Sequence, residues 1–179
     1  MFEDIRKNIG IGLARILGHR RRTQPMNFAG SYSHARTALF ILPFEEGHRP
    51  YVLDLLRRAQ LQFQGNALTI VTTGPSGALS QKLKQCMMVP VHTEQINFFF
   101  LPKKSLLLRL REQTYDVIVD LNLTVTPLAA SICASIDAPL KAGFSSPRSD
   151  ALYNFQLHTA AAKDPKIRYE RLLQTLAMF

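Results

Sequence analysis

A chain of 179 residues with 22 lysines and arginines against 13 acidic residues, a formal net charge of +9, is too short for two full-sized nucleotide-binding lobes and favours anionic partners. Its 46% hydrophobic and 20% charged content is ordinary globular composition and excludes collagen-like, mucin-like and acidic-tail classes. Cys86 and Cys133 show no CxxC spacing and no histidine at ligand spacing, so they read as buried thiols of a reducing compartment.

The first segment, Phe2 to Arg22, sets Phe2, Ile5, Ile9, Leu13, Ile16 and Leu17 at steps of three and four, the spacing of one helical face. Arg6, Lys7 and Arg15 lie off that face, and Arg20, Arg21 and Arg22 close the segment. Residues 1–22 are therefore expected to be a basic amphipathic helix, and the Gln-, Pro-, Asn-, Gly- and Ser-containing stretch 23–35 a linker. Residues 36–179 form the expected main domain.

Within that domain the continuous apolar run Ala38–Leu42 predicts a strand buried on both faces. A turn-rich break, Pro43–Pro50, leads to a helix over Tyr51–Gln64 and a second strand over Ala67–Thr72. Ala78–Gln85 reads as a helix, Met87–Val91 as a short strand and Asn97–Leu101, with three phenylalanines, as another. Ser105–Gln113 reads as a basic helix and Asp116–Leu121 as a strand. Pro127–Ile136 is a helix with proline in its first turn, and Leu140–Phe144 is a strand. Tyr153–Thr159 reads as one more strand before the amphipathic helix Pro165–Met178. Strands alternating with helices predict an α/β fold: a three-layer Rossmann-like sandwich with a mostly parallel sheet.

Ligands of such sheets bind beyond the carboxyl ends of the strands. The first of these loops offers Glu45, Glu46 and His48 as acid–base candidates; a solvated charged loop is the favoured alternative. Thr72–Gly77 is small-residue-rich but lacks a phosphate-loop motif, and a tight turn before a capped helix explains it as well. Asn122 and Thr124 follow the strongest strand, where polar groups can meet a sugar hydroxyl or bind the loop backbone; a structural hydrogen bond is favoured for Asp120. Arg148, among Ser145, Ser146 and Ser149, is a candidate grip for a phosphate or carboxylate, or a partner for Asp150 or Asp120. His34, His92 and His158 are isolated, and no GxSxG or HExxH occurs. No metal and no cofactor are expected.

The stretch Tyr115-Asp116-Val117-Ile118-Val119-Asp120-Leu121-Asn122, the helix LAASICAS and the strand LKAGF resemble bacterial heptosyltransferases, glycosyltransferase family nine. The first unit, from ALFILPFEEGHRPY to LTIVTTGP, is similar to the opening strand, loop, helix and second strand of the same family. The resemblance implies a single GT-B-type lobe, on the side that receives a lipid-linked sugar acceptor. It places the family's catalytic aspartate at His48, after Gly47, and puts Arg148 near a basic acceptor-side residue. Short bacterial proteins that join a basic N-terminal helix to this half-fold also look similar.

The expected function is a heptosyltransferase-like acceptor lobe without autonomous transferase activity, with no donor lobe following. It would act as a binding or scaffold module at the cytoplasmic face of the membrane. Sugar or phosphate binding is assigned to Gly47, Asn122, Thr124 and Arg148. An anionic membrane surface, or a protein partner, is assigned to Arg6, Lys7, Arg15, Arg20, Arg21 and Arg22. Two alternatives are kept: an RNA- or ribosome-associated basic protein, and a glycosyltransferase completed by a separate donor-lobe chain. No apolar run reaches the roughly 20 residues of a membrane span, and the start lacks a secretory h-region. The expected location is the cytoplasm, including a peripheral place on the inner membrane.

Overall fold

The computed structural model describes residues 2–19, 31–74, 81–83, 85–159, 162–176 and 178. Six strands, β1 (Ala38–Ile41), β2 (Leu68–Thr73), β3 (Met87–Val91), β4 (Val117–Asp120), β5 (Leu140–Phe144) and β6 (Phe155–Leu157), form one sheet in the order β3-β2-β1-β4-β5-β6. Every pairing is parallel. The helices are α1 (Phe2–His19), α2 (Arg49–Gln62), α3 (Lys104–Leu110), α4 (Pro127–Ser135) and α5 (Pro165–Leu176).

Because side chains alternate along a strand, each strand feeds two cores. Phe40, Leu42, Ile70, Val117 and Val119 pack on one face with Val52, Leu56 and Ala59 of α2 and Tyr169 and Leu172 of α5. Leu39, Ile41, Val71, Val89 and Ile118 pack on the other with Leu106 and Leu110 of α3 and all the aliphatic residues of α4. Each residue of β1, β4 and β5 is buried; β1 is wholly apolar, while β4 and β5 each bury one charged residue, Asp120 and Lys141. Asp116, just before β4, fixes the start of β1 by accepting from the Arg36 amide (2.8 Å), the Thr37 amide (3.0 Å) and the Thr37 hydroxyl (3.2 Å). Burial pushes this carboxyl up, and those bonds outweigh it and hold its pKa below the ordinary value.

Three expectations are corrected. Asn97–Leu101 is not a strand but a tight turn closed by an antiparallel bridge between Ile96 and Pro102. Its apolar run marked phenylalanines placed at a surface rather than a core. α2 begins at Arg49, with Pro50 in its first turn, because proline's fixed φ suits that position. The strand expected over Tyr153–Thr159 shortens to Phe155–Leu157, since Tyr153 turns into the core below. The helix expected over Ala78–Gln85 falls mostly outside the described residues, as do Arg20, Arg21, Arg22 and most of 23–35.

α1 packs on α4 through a face of Gly10, Ile11, Ala14 and Gly18, in which three of the four residues are small. A Cβ on Gly10 would stand 2.3 Å from the Phe99 carbonyl oxygen and 2.9 Å from Pro127 Cβ, and one on Gly18 would stand 2.4 Å from the Ala151 carbonyl oxygen. Ala14, one turn from each, is fully buried. Steps of four keep these three residues on one face. The large apolar stripe therefore points outward: Phe2 is 68% exposed, Leu13 43% and Ile16 55%. Among the described residues the stripe stays largely exposed, with Phe2 meeting Phe98 edge to face at its start.

Candidate functional site

The strand order reverses between β1 and β4, and at such a switch point the exit loops diverge and leave a crevice. A cleft of about 400 Å³ opens there, lined by Phe44, Glu45, Thr73, Ile96, Phe100, Thr124, Val125, Thr126, Pro127, Leu128 and Lys7. Thr73 ends β2, Thr124–Thr126 follow β4, and Thr126 caps α4 by accepting from the Ala129 amide at 3.3 Å. Apolar walls with a few hydroxyls, one carboxylate and one ammonium suit a ligand with a hydrophobic body and a polar or anionic end. Lys7 is ion-paired with Glu3 at 2.7 Å, so α1 supplies one wall of the crevice.

Of the residues singled out in sequence, Glu45 and Thr124 line this cleft, and so does Lys7, which was assigned to a membrane surface or partner. Asn122 lies beneath it and is buried. Its Oδ1 accepts from the Phe44 amide at 3.0 Å, and its Nδ2 donates to the Leu42 carbonyl at 3.3 Å and to Asp120 Oδ1 at 2.7 Å. Asn122 thus clamps the exits of β1 and β4 together. Asp120 is fully buried and also accepts from the Asn122 amide (2.9 Å) and from the Tyr153 hydroxyl. Burial raises its pKa above the ordinary value, against the pull of the Tyr153 and Asn122 hydrogen bonds. Burial likewise pushes the Tyr153 phenol well up, helped by the Asp120 charge. Tyr153 reaches Asp120 by lying over Gly143, where a Cβ would meet its ring at 2.6 Å.

His48 leaves the cleft for the other face of the sheet. Its Nδ1 sits 3.4 Å from Glu45 Oε2, and its ring meets Tyr169 edge to face at 6.2 Å. Glu46 pairs with Arg49 at 3.3 Å, and Gly47, exposed, turns the chain between them. Arg148 donates to Asn8 Oδ1 and ties the loop after β5 to α1. His48, Asn122 and Arg148 are not brought to one place.

Arg6 is also engaged, donating through Nε to the Phe98 carbonyl at 2.7 Å with its guanidinium 3.8 Å from the Phe98 ring centre. Arg15 is half-buried. Sequence reading missed Phe44, Ile96 and Phe100 as cleft walls, because apolar loop residues carry no chemical motif. It also missed Arg49, whose half-buried guanidinium donates to the Thr73 carbonyl as well as to Glu46; its place as the first residue of α2, at a strand exit, was the available signal. Among the described residues no group of acidic, histidine and cysteine side chains could hold a metal ion, and no helix is long and apolar enough to cross a membrane.

No protein-family model and no curated protein matches the sequence. Solved structures do. Escherichia coli heptosyltransferase WaaC with ADP is 17% identical at a TM-score of 0.57, over 78% of this chain and 46% of that one. The same enzyme with ADP-2-deoxy-2-fluoro heptose gives a TM-score of 0.58 at the same identity and 47% of its length. A family 9 glycosyl transferase from Veillonella parvula is 11% identical at a TM-score of 0.61, over 87% of this chain and 44% of its own. What these likenesses establish is a fold: the chain is built as a glycosyltransferase-like α/β lobe and spans about half the length of the heptosyltransferase and glycosyltransferase it matches.

Proposed function

We propose that the chain is a heptosyltransferase-like lobe that works as a binding or scaffold module on the cytoplasmic face of the membrane, without transferase activity of its own. The outward apolar face of α1 carries this reading. A helix of 18 residues is about 27 Å long, and its stripe of exposed phenylalanine, isoleucine and leucine is larger and more continuous than scattered surface apolar residues. An interfacial helix ordinarily balances such a stripe with its own polar face; here the fold itself takes that place. The net charge of +9 suits an anionic lipid surface, where a nearby Lys or Arg contributes about 1 kcal/mol.

The cleft at the β1 and β4 exits is the assigned ligand site, and its hydroxyls, Glu45 and Lys7 suit a sugar or phosphate on an apolar body. The absence of turnover is supported by His48. The resemblance aligns it with the family's catalytic aspartate, and it stands outside the cleft against Tyr169. An imidazole there does not reproduce a carboxylate's charge beside a developing positive centre.

Flotation with vesicles containing phosphatidylglycerol tests the membrane role. The full chain is expected to float, and an Ile9→Glu/Leu13→Glu double variant to lose partitioning by about 100-fold, since each buried aliphatic side chain is worth about 1.5 kcal/mol or more. Equal flotation of both proteins would remove the membrane role. Truncation of α1 is a poorer test, because it uncovers α4. Sugar transfer from a nucleotide-sugar by this chain alone would refute the rest of the reading.

A further inference from the structure

The turn Asn97–Leu101 is built to hold an aromatic side chain beside the outer face of α1. Asn97 Oδ1 accepts from the Phe99 amide at 2.9 Å and the Leu101 amide at 3.1 Å, while the Leu101 carbonyl accepts from the Asn97 amide at 2.9 Å. Winding the chain this tightly puts Phe100 at φ +59°, a left-handed conformation that a bulky residue adopts only when its surroundings enforce it. The turn is then docked on α1. Gly10 lets the Phe99 carbonyl approach the helix, and Arg6 grips the Phe98 carbonyl while stacking on the Phe98 and Phe100 rings.

The product of these contacts is Phe98, 56% exposed, edge to face with Phe2 at 6.3 Å and continuous with the apolar stripe. Phe100 of the same turn lines the cleft, a role that does not require Phe98 to be exposed. The Arg6 guanidinium lies against the Phe98 ring, and the turn is flanked in sequence by the exposed Lys103 and Lys104 on one side and the exposed Glu94 on the other. Glu3 and Asp4 are the acidic residues on the nearby first turn of α1, and Glu3 is already paired with Lys7.

We propose that the Asn97–Leu101 turn is a second membrane-insertion element: Phe98 enters the headgroup and acyl boundary of an anionic bilayer beside α1, with Arg6, Lys103 and Lys104 at phosphate level. The occupant is a lipid surface rather than a protein groove. The ring carries the Arg6 guanidinium against it on a chain of net charge +9, matching anionic headgroups, and stands beside a helix ridge that a deformable bilayer accommodates along its whole length. This inference rests on the membrane reading of α1 and adds a contact that the reading does not require.

The chain contains no tryptophan, so a single Phe98→Trp substitution gives an unambiguous fluorescence probe, with Leu13→Trp on α1 as its companion. Both sites are exposed, and neither substitution disturbs the core. With vesicles containing phosphatidylglycerol, both tryptophans are expected to shift to shorter wavelength and to be quenched by lipids brominated high on the acyl chain. Phe98→Ser is expected to weaken vesicle binding about tenfold, the worth of one buried aromatic ring. A response from Trp at position 13 with none at position 98 would overturn the inference and leave α1 as the membrane contact. Silence at both positions would overturn the inference and the membrane reading together.

Discussion

Asp120→Ala is expected to destabilise the fold by about 3 kcal/mol, because it strips acceptors from buried donors that have nowhere else to turn. The Tyr153 hydroxyl and the Asn122 amide and Nδ2 all donate to this one fully buried carboxyl. Loss of the Asn122 anchor also loosens the clamp on the Phe44 amide and the Leu42 carbonyl, so the β1 and β4 exits that shape the cleft should exchange hydrogen faster. Urea unfolding and amide exchange check both effects.

Asp120→Asn separates charge from shape and carries a pH signature. Burial raises the folded-state pKa of Asp120, so the fold holds a proton that the unfolded chain has already released. Stability from this group is therefore fully present below the ordinary carboxylate range, near about pH 4, and is lost as pH rises towards the folded pKa. The asparagine variant has no such proton. Its stability relative to wild type is expected to improve as pH rises from about 4 and then to level off. A relative stability that worsens with rising pH would show the carboxylate to be favoured by the fold.

The second large effect concerns α1. Gly10→Ala and Gly18→Ala are each expected to cost about 1–3 kcal/mol, because the new Cβ would lie 2.3 Å from the Phe99 carbonyl oxygen and 2.4 Å from the Ala151 carbonyl oxygen, respectively. Backbone atoms cannot swing away as a flexible side chain could. Gly12→Ala is the internal control: nothing lies within 4 Å of its Cβ position, so it should gain up to about 1 kcal/mol from alanine's better helix propensity. Urea denaturation, with protease resistance of α1 as a local readout, checks the opposite signs. Destabilisation by all three substitutions, or by none, would contradict the packing of this helix.

Much of the fold was legible because a parallel sheet covered on both faces favours strands that are predominantly apolar. Ala38–Leu42, Asp116–Leu121 and Leu140–Phe144 carry that signature despite Asp116, Asp120 and Lys141, and β1, β4 and β5 lie within them. The same rule misreads Asn97–Leu101, since periodicity and apolarity do not distinguish burial in a core from presentation at a surface. The difference lies in Asn97, a side chain able to wind its own loop, and in the glycine that receives it from another helix. Which side of α1 meets the fold was hidden for a related reason. Hydrophobic spacing weights the large residues, whereas close helix packing here selects Gly10, Ala14 and Gly18, whose contribution is an absence of bulk.

The candidate cleft was legible in outline. A strand-exit cleft at the switch point follows from topology, and Glu45 and Thr124 fall on it. Asn122 could be read either as a ligand contact or as a backbone clamp; its four hydrogen bonds to Phe44, Leu42 and Asp120 are long-range or local contacts that no single-sequence pattern separates from a sugar contact. Arg148 is likewise engaged by Asn8, a residue 140 positions away.

α1 faces the fold with Gly10, Ile11, Ala14 and Gly18 and solvent with Phe2, Ile5, Ile9, Leu13, Ile16 and Leu17, and the functional reading depends on this orientation. Two adjacent substitutions test it most directly: Leu13→Gln, at a site 43% exposed, and Ala14→Gln, at a site fully buried, compared by urea unfolding in the absence of lipid. Leu13→Gln is expected to stay within about 0.5 kcal/mol of wild type, while Ala14→Gln, forcing a bulky polar group against α4, should lose about 2 kcal/mol or more and free α1 to protease. The reverse order, with Leu13→Gln destabilising and Ala14→Gln tolerated, would mean that the apolar stripe is the buried face and that no membrane surface is on offer.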